Sequence, residues 1–149
     1  MKPGIALLVT LLSIAAFAGG QAADTTPAGS QLEPAAMVKL LSAEKPLVLM
    51  VGPRFIYSQA HIPAAEYIGM ASKPDGLKAL QNRLAKVPKT EAIVLYCGCC
   101  PWNYCPNIAP ALRELKAEGF SNVKVLHLAD NFGTDWTEKG YPVEKGGPK

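Results

Sequence analysis

The chain has 149 residues, 18% of them charged, and a formal net charge of +3. That excess is too small, and the basic residues too scattered, to indicate nucleic acid or an anionic membrane as partner. All four cysteines fall within nine positions, Cys97 to Cys105, so the composition directs attention to thiol chemistry in one loop.

Residues 1–23 read as a secretory signal peptide. Lys2 gives the positive start, Ile5 to Ala18 is almost wholly apolar, and Gly20-Gln21-Ala22-Ala23 offers a small-residue cleavage site, cut after Ala22 or Ala23. The apolar run is shorter than the ~20 residues of a spanning helix, so no stable membrane insertion is expected after cleavage. The mature protein is expected to be exported, with the periplasm as its place. There, four close cysteines would form disulfides, hold a metal or serve chemistry.

Residues 24–31, rich in Thr, Pro, Gly and Ser, read as a linker, and 32–146 as one domain with a tail at 147–149. Pro34 suits the first position of a helix whose buried face is Met37, Leu40 and Leu41. Leu47 to Val51 is a continuous apolar run, the pattern of a strand buried on both faces. Pro53 to Ala60 reads as a turn or short helix, and His61-Ile62-Pro63 leads to an extended piece at Tyr67-Ile68. Asp75 is a candidate cap for a helix with apolar face Leu77, Leu80, Leu84 and Val87, stopped by Pro88.

Ile93 to Tyr96 reads as a strand running into the loop Cys97-Gly98-Cys99-Cys100-Pro101-Trp102-Asn103-Tyr104-Cys105-Pro106-Asn107. Asn107 is placed to cap a helix whose Ile108, Ala111, Leu112 and Leu115 recur on one face, with Gly119 at C′ and Phe120 packing back. Val123 to Leu128 reads as the last strand. Alternating helices and apolar strands describe an α/β fold, a parallel sheet with helices on both faces. The cysteine loop then joins a strand's C-terminal end to a helix N-terminus, where an anion or thiolate is favoured.

Several segments resemble single-domain rhodanese-like (sulfurtransferase) proteins. Tyr57 ahead of Ala60-His61-Ile62-Pro63-Ala64-Ala65 looks like the family's Gly-His-Ile-Pro-Gly-Ala. Val94-Leu95-Tyr96-Cys97 looks like the approach to its catalytic cysteine. Leu112-Arg113-Glu114-Leu115 with Gly119-Phe120 is similar to the helix that follows, and Trp136 with Gly140-Tyr141-Pro142-Val143 to the closing segment. The resemblance implies a rhodanese-like domain in which Cys97 carries a persulfide, taken from a small sulfur donor such as thiosulfate or exchanged with a thiol or persulfide protein partner. The loop is longer than the family's and holds no Arg or Lys where an arginine usually closes it.

On this reading Cys99, Cys100 and Cys105 are assisting thiols. The backbone amides of Gly98, Trp102, Asn103, Tyr104 and Asn107 would cradle an anion and lower the Cys97 pKa. His127, near the end of the last strand, is a candidate thiolate partner, although a core role suits it better. His61 reads as structural, and Trp102 and Tyr104 as packing for the loop or an apolar docking face. Two alternatives stay open. One is thiol–disulfide exchange by the Cys97-x-x-Cys100 pair. The other is a soft metal, Cu(I) before zinc, held by Cys97, Cys99, Cys100 and Cys105; the sulfur-transfer reading needs no cofactor. A disulfide staple from Cys105 to Cys99 or Cys100 is the purely structural option.

Overall fold

A computed structural model describes residues 30–147. The segment read as a signal peptide, most of the segment read as a linker and the last two tail residues lie outside them. Five strands, β1 (Gln31–Leu32), β2 (Leu47–Met50), β3 (Glu66–Tyr67), β4 (Ile93–Tyr96) and β5 (Val123–Leu126), form one sheet in the order β1-β5-β4-β2-β3. Every pairing is parallel. Four helices alternate with them: α1 (Pro34–Ala43), α2 (Arg54–Gln59), α3 (Pro74–Leu84) and α4 (Ile108–Ala117).

The central strands are apolar throughout because both of their faces are covered. Leu49, Val51, Ile93 and Leu95 point into a core with Leu80 and Leu84 of α3 and Ile108, Ala111 and Leu115 of α4. Val48, Met50, Val94 and Tyr96 point the other way, toward Met37 of α1, Tyr57 of α2, and Phe132 and Trp136. This alternation is the two-residue period of a strand. It carries on past β4, so Cys97 falls on the same side as Ile93 and Leu95, facing α4.

The elements differ from the sequence expectation at their ends. Gln31, assigned to the linker, begins an edge strand too short to leave an alternating pattern. The last strand stops at Leu126 and the short third strand is shifted by one residue to Glu66–Tyr67. Asp75 does not cap α3: Lys73 is the N-cap, Pro74 opens the helix, and Asp75 sits in the first turn facing the positive end of the dipole. Gly119 does close α4, at φ +83°, with Phe120 N–H donating to the Leu115 carbonyl at 3.0 Å. Gly133–Thr137 forms one π-type turn that sequence periodicity did not reveal.

Candidate active site

The loop leaves β4 at Cys97 and returns to α4 through a 3-10 turn at Trp102–Tyr104. Cys97 is buried against Gly52, which follows β2. A Cβ on Gly52 would lie 2.4 Å from the Cys97 carbonyl oxygen and 3.0 Å from its sulfur, so only glycine lets the strands approach this closely. The Cys97 and Cys99 sulfurs are 3.2 Å apart, and those of Cys99 and Cys100 are 3.0 Å apart. Cys97, Cys99 and Cys105 place their three sulfurs within 4.8 Å of one another. All four cysteines are thiols in this structure.

Asn107 binds this cluster from below. Its side chain is almost fully buried and does not cap α4. Instead Nδ2 donates to Cys97 Sγ at 3.3 Å and approaches Cys105 Sγ at 3.9 Å, while Oδ1 accepts from the Ser72 amide at 3.0 Å. The cap expected of Asn107 is thus corrected: the side chain serves the sulfurs and ties the loop to the segment before α3.

Acidification falls on a different cysteine from the one expected. The Cys105 thiol is pulled down to about 6, first by hydrogen bonding from Cys97 and then by the Asn107 and Ile108 amides at the start of α4, against the opposing effect of burial. Cys97 is pushed up by the same interaction with Cys105 and by burial, although the Cys99 amide and Asn107 favour its ionised form. Cys97 and Cys105 titrate as a pair, and the Cys97 contact, followed by the Asn107 and Ile108 amides, favours the anion on Cys105. Burial, then hydrogen bonding to Cys99, pushes Cys100 up to about 12, so it stays protonated at neutral pH.

The backbone cradle is smaller than the sequence reading drew it. The Trp102 amide donates to the Leu128 carbonyl at 3.0 Å and the Tyr104 amide to the Pro101 carbonyl at 2.9 Å, so neither is directed at the thiols. Asn107 keeps its place in the cradle, and the Ile108 and Cys99 amides join it. The Gly98 carbonyl accepts from the Phe132 N–H at 3.1 Å, and Asn103 lies exposed in the 3-10 turn. His127 is not a thiolate partner. Its Nδ1 meets Glu33 Oε1 at 2.5 Å and its ring stands edge-on to Trp102, with centroids 5.5 Å apart. Trp102 therefore packs the loop down, while Tyr104 is 78% exposed.

His61 is structural, as expected: its ring stacks on Tyr57 and Nδ1 lies 2.8 Å from the Tyr57 carbonyl. The Cys97-x-x-Cys100 pair is not the one the fold brings together, since the Cys97 sulfur faces Cys99 and Cys105. Cys97, Cys99 and Cys105 form a soft three-sulfur donor set, with Cys100 outside it. Beside the cluster, α2 and the Asn131–Gly133 segment enclose an open cleft of about 480 Å³. Sequence reasoning missed the side-chain role of Asn107, the close approach of Gly52 and this cleft. The Gly directly after a core strand was the one local signal of close backbone contact.

No protein-family profile and no curated protein matches the sequence. Solved structures do. The chain is similar to the Alr3790 protein from Anabaena sp., with 21% identity over 77% of this chain and 92% of that one, at a TM-score of 0.56. A solution structure described as the rhodanese-like domain of Alr3790 aligns at 20% identity over 78% of this chain and 79% of that one, at a TM-score of 0.57. BH2092 from Bacillus halodurans aligns at 21% identity over 77% and 76%, with a TM-score of 0.59. A structure of EanB, described as a cysteine persulfide in a tetrahedral intermediate state with ergothioneine, aligns at 23% identity over 77% of this chain but only 28% of EanB, with a TM-score of 0.59. What identities this low share is architecture, and together with the parallel sheet they give this chain a rhodanese-like α/β fold.

Proposed function

We propose that this chain is an exported sulfur carrier that holds sulfane sulfur as a persulfide on Cys97. The observation that supports this most is the three-sulfur cluster of Cys97, Cys99 and Cys105, set where β4 meets α4 on a rhodanese-like fold. As Cys97 takes a sulfur, its proton passes to Cys105, whose anionic form the Cys97 contact and then the Asn107 and Ile108 amides favour. Asn107 Nδ2 and the Cys99 amide then stabilise the persulfide anion. Sulfur comes from a small donor such as thiosulfate or from a thiol or persulfide protein partner.

Intact mass spectrometry of the mature chain, prepared without oxygen and incubated with thiosulfate or an organic persulfide, tests this reading. One added sulfur atom mapped to Cys97 and lost in Cys97→Ser is expected. No addition from either donor would sink it. Recovery from the periplasmic fraction with an N-terminus at Ala23 or Asp24 tests export.

The same cluster supports a second reading, Cu(I) held by three thiolates. It requires anaerobic metal titration to show one equivalent bound, lost in any of Cys97→Ser, Cys99→Ser or Cys105→Ser and kept in Cys100→Ser. Sulfur loading without metal binding would remove it.

A further inference from the structure

Cys97 is only 3% exposed and is not among the residues lining the 480 Å³ cleft, whereas half-buried Cys99 forms part of its wall. The cleft volume lies within the roughly 300–1,000 Å³ usual for small-molecule sites. Phe55, Ile56 and Phe132 make its sides apolar, and Lys145 and Glu138 supply one charge of each sign. Such a lining gives an inorganic dianion little to bind, and suits an organic body carrying a short polar or zwitterionic end. Cys99 Sγ lies 3.2 Å from Cys97 Sγ and 3.0 Å from Cys100 Sγ, so one thiol touches both the cleft and the buried cluster.

Building on the sulfur-carrier reading, we infer that Cys99 is the exchanging thiol, and that sulfur enters through this cleft from a low-molecular-weight organic persulfide. Cys99 sulfur attacks the outer sulfur of R–S–SH. An S–S bond forms at Cys99, the donor S–S bond breaks, and R–S⁻ departs with the Cys99 proton as R–SH. Cys97 sulfur, 3.2 Å from Cys99 sulfur, then attacks the outer sulfur of the Cys99 persulfide. The new S–S bond is on Cys97, the Cys99 S–S bond breaks, and Cys99 leaves as a thiol carrying the proton that Cys97 gives up. Both steps move a sulfane sulfur from one thiol to another and need neither oxidant nor reductant. Run backward, the same path delivers sulfur to an organic thiol acceptor.

The experiment is anaerobic rapid-quench peptide mapping of the mature chain with glutathione persulfide as donor. In the unaltered chain the label is expected on Cys99 first and on Cys97 later. In Cys97→Ser the sulfur should stop on Cys99. In Cys99→Ser loading of Cys97 should slow by about tenfold or more, because the buried thiol loses its accessible relay. Thermal unfolding of Cys99→Ser checks that the fold is kept, and the order of labelling in the unaltered chain needs no variant. Loading of Cys97 at the unaltered rate in Cys99→Ser, or label on Cys97 before Cys99, overturns the inference and leaves the carrier reading standing. No sulfur on any cysteine of the unaltered chain from any donor overturns the carrier reading itself. Faster loading from thiosulfate or from a protein persulfide overturns the choice of donor.

Discussion

At Ala64 the backbone has φ +60°, in the left-handed region that costs an L side chain about 1–2 kcal/mol. The conformation is held by the Ile62 carbonyl, which accepts from the Ala65 amide, and by Glu144, which accepts from the Ala64 amide. Ala64→Gly should therefore stabilise the protein by about 1 kcal/mol in urea unfolding, with no effect on sulfur loading. Asn107 has the opposite sensitivity. Asn107→Ala removes donors to both sulfurs and strands the Ser72 amide, so a loss of about 1–3 kcal/mol is expected by the same measurement. It should also raise the pH at which a thiolate appears. Thiolate absorbance in the ultraviolet should rise with a midpoint near Cys105's value of about 6 in the unaltered chain. That midpoint should move upward in Cys97→Ala, because a donor to the Cys105 anion is gone. A midpoint unchanged by Cys97→Ala would break the paired-titration account. None of this was legible from residue types. Asn107 and His127 were read by their neighbours in the chain, whereas Ser72, which orients Asn107, and Glu33, which meets His127, lie 35 and 94 positions away.

The elements were more legible than their side-chain contacts. Apolar runs marked β2 and β4 because both faces of those strands are buried, and the 3.6-residue spacing marked α4 because only one of its faces is. β1 and β3 are two residues each, below the length at which a pattern can form. The loop's cradle was misjudged for a similar reason. Which amide points at a thiol depends on the 3-10 turn, and that turn spends the Trp102 and Tyr104 amides on carbonyls. The junction of β2, Gly52 and β4 carries its own expectation. In Gly52→Ala the new Cβ meets backbone, which cannot rotate away, so the strand end and Cys97 must shift. A destabilisation of about 1–3 kcal/mol is expected by urea unfolding, with Cys97 loading reduced in the fraction that remains folded.

Across the whole molecule, the sheet separates two cores, and the tail closes one of them. Trp136 is fully buried, stacks with Phe132, and donates from Nε1 to the Pro142 carbonyl at 2.8 Å. Phe132 in turn reaches Gly98, so the tail, the cleft wall and the loop form one packed unit. Trp136→Ala should cost about 3–5 kcal/mol in urea unfolding and widen the cleft. The sheet has a further consequence at its two borders. Among the described residues its outer strands, β1 and β3, offer two residues apiece, so few backbone donors and acceptors are left unpaired at either margin. A visiting polypeptide finds almost no template on which to lie down as an extra strand. The sheet margins formed by the described residues thus give a partly folded chain little purchase for runaway strand pairing.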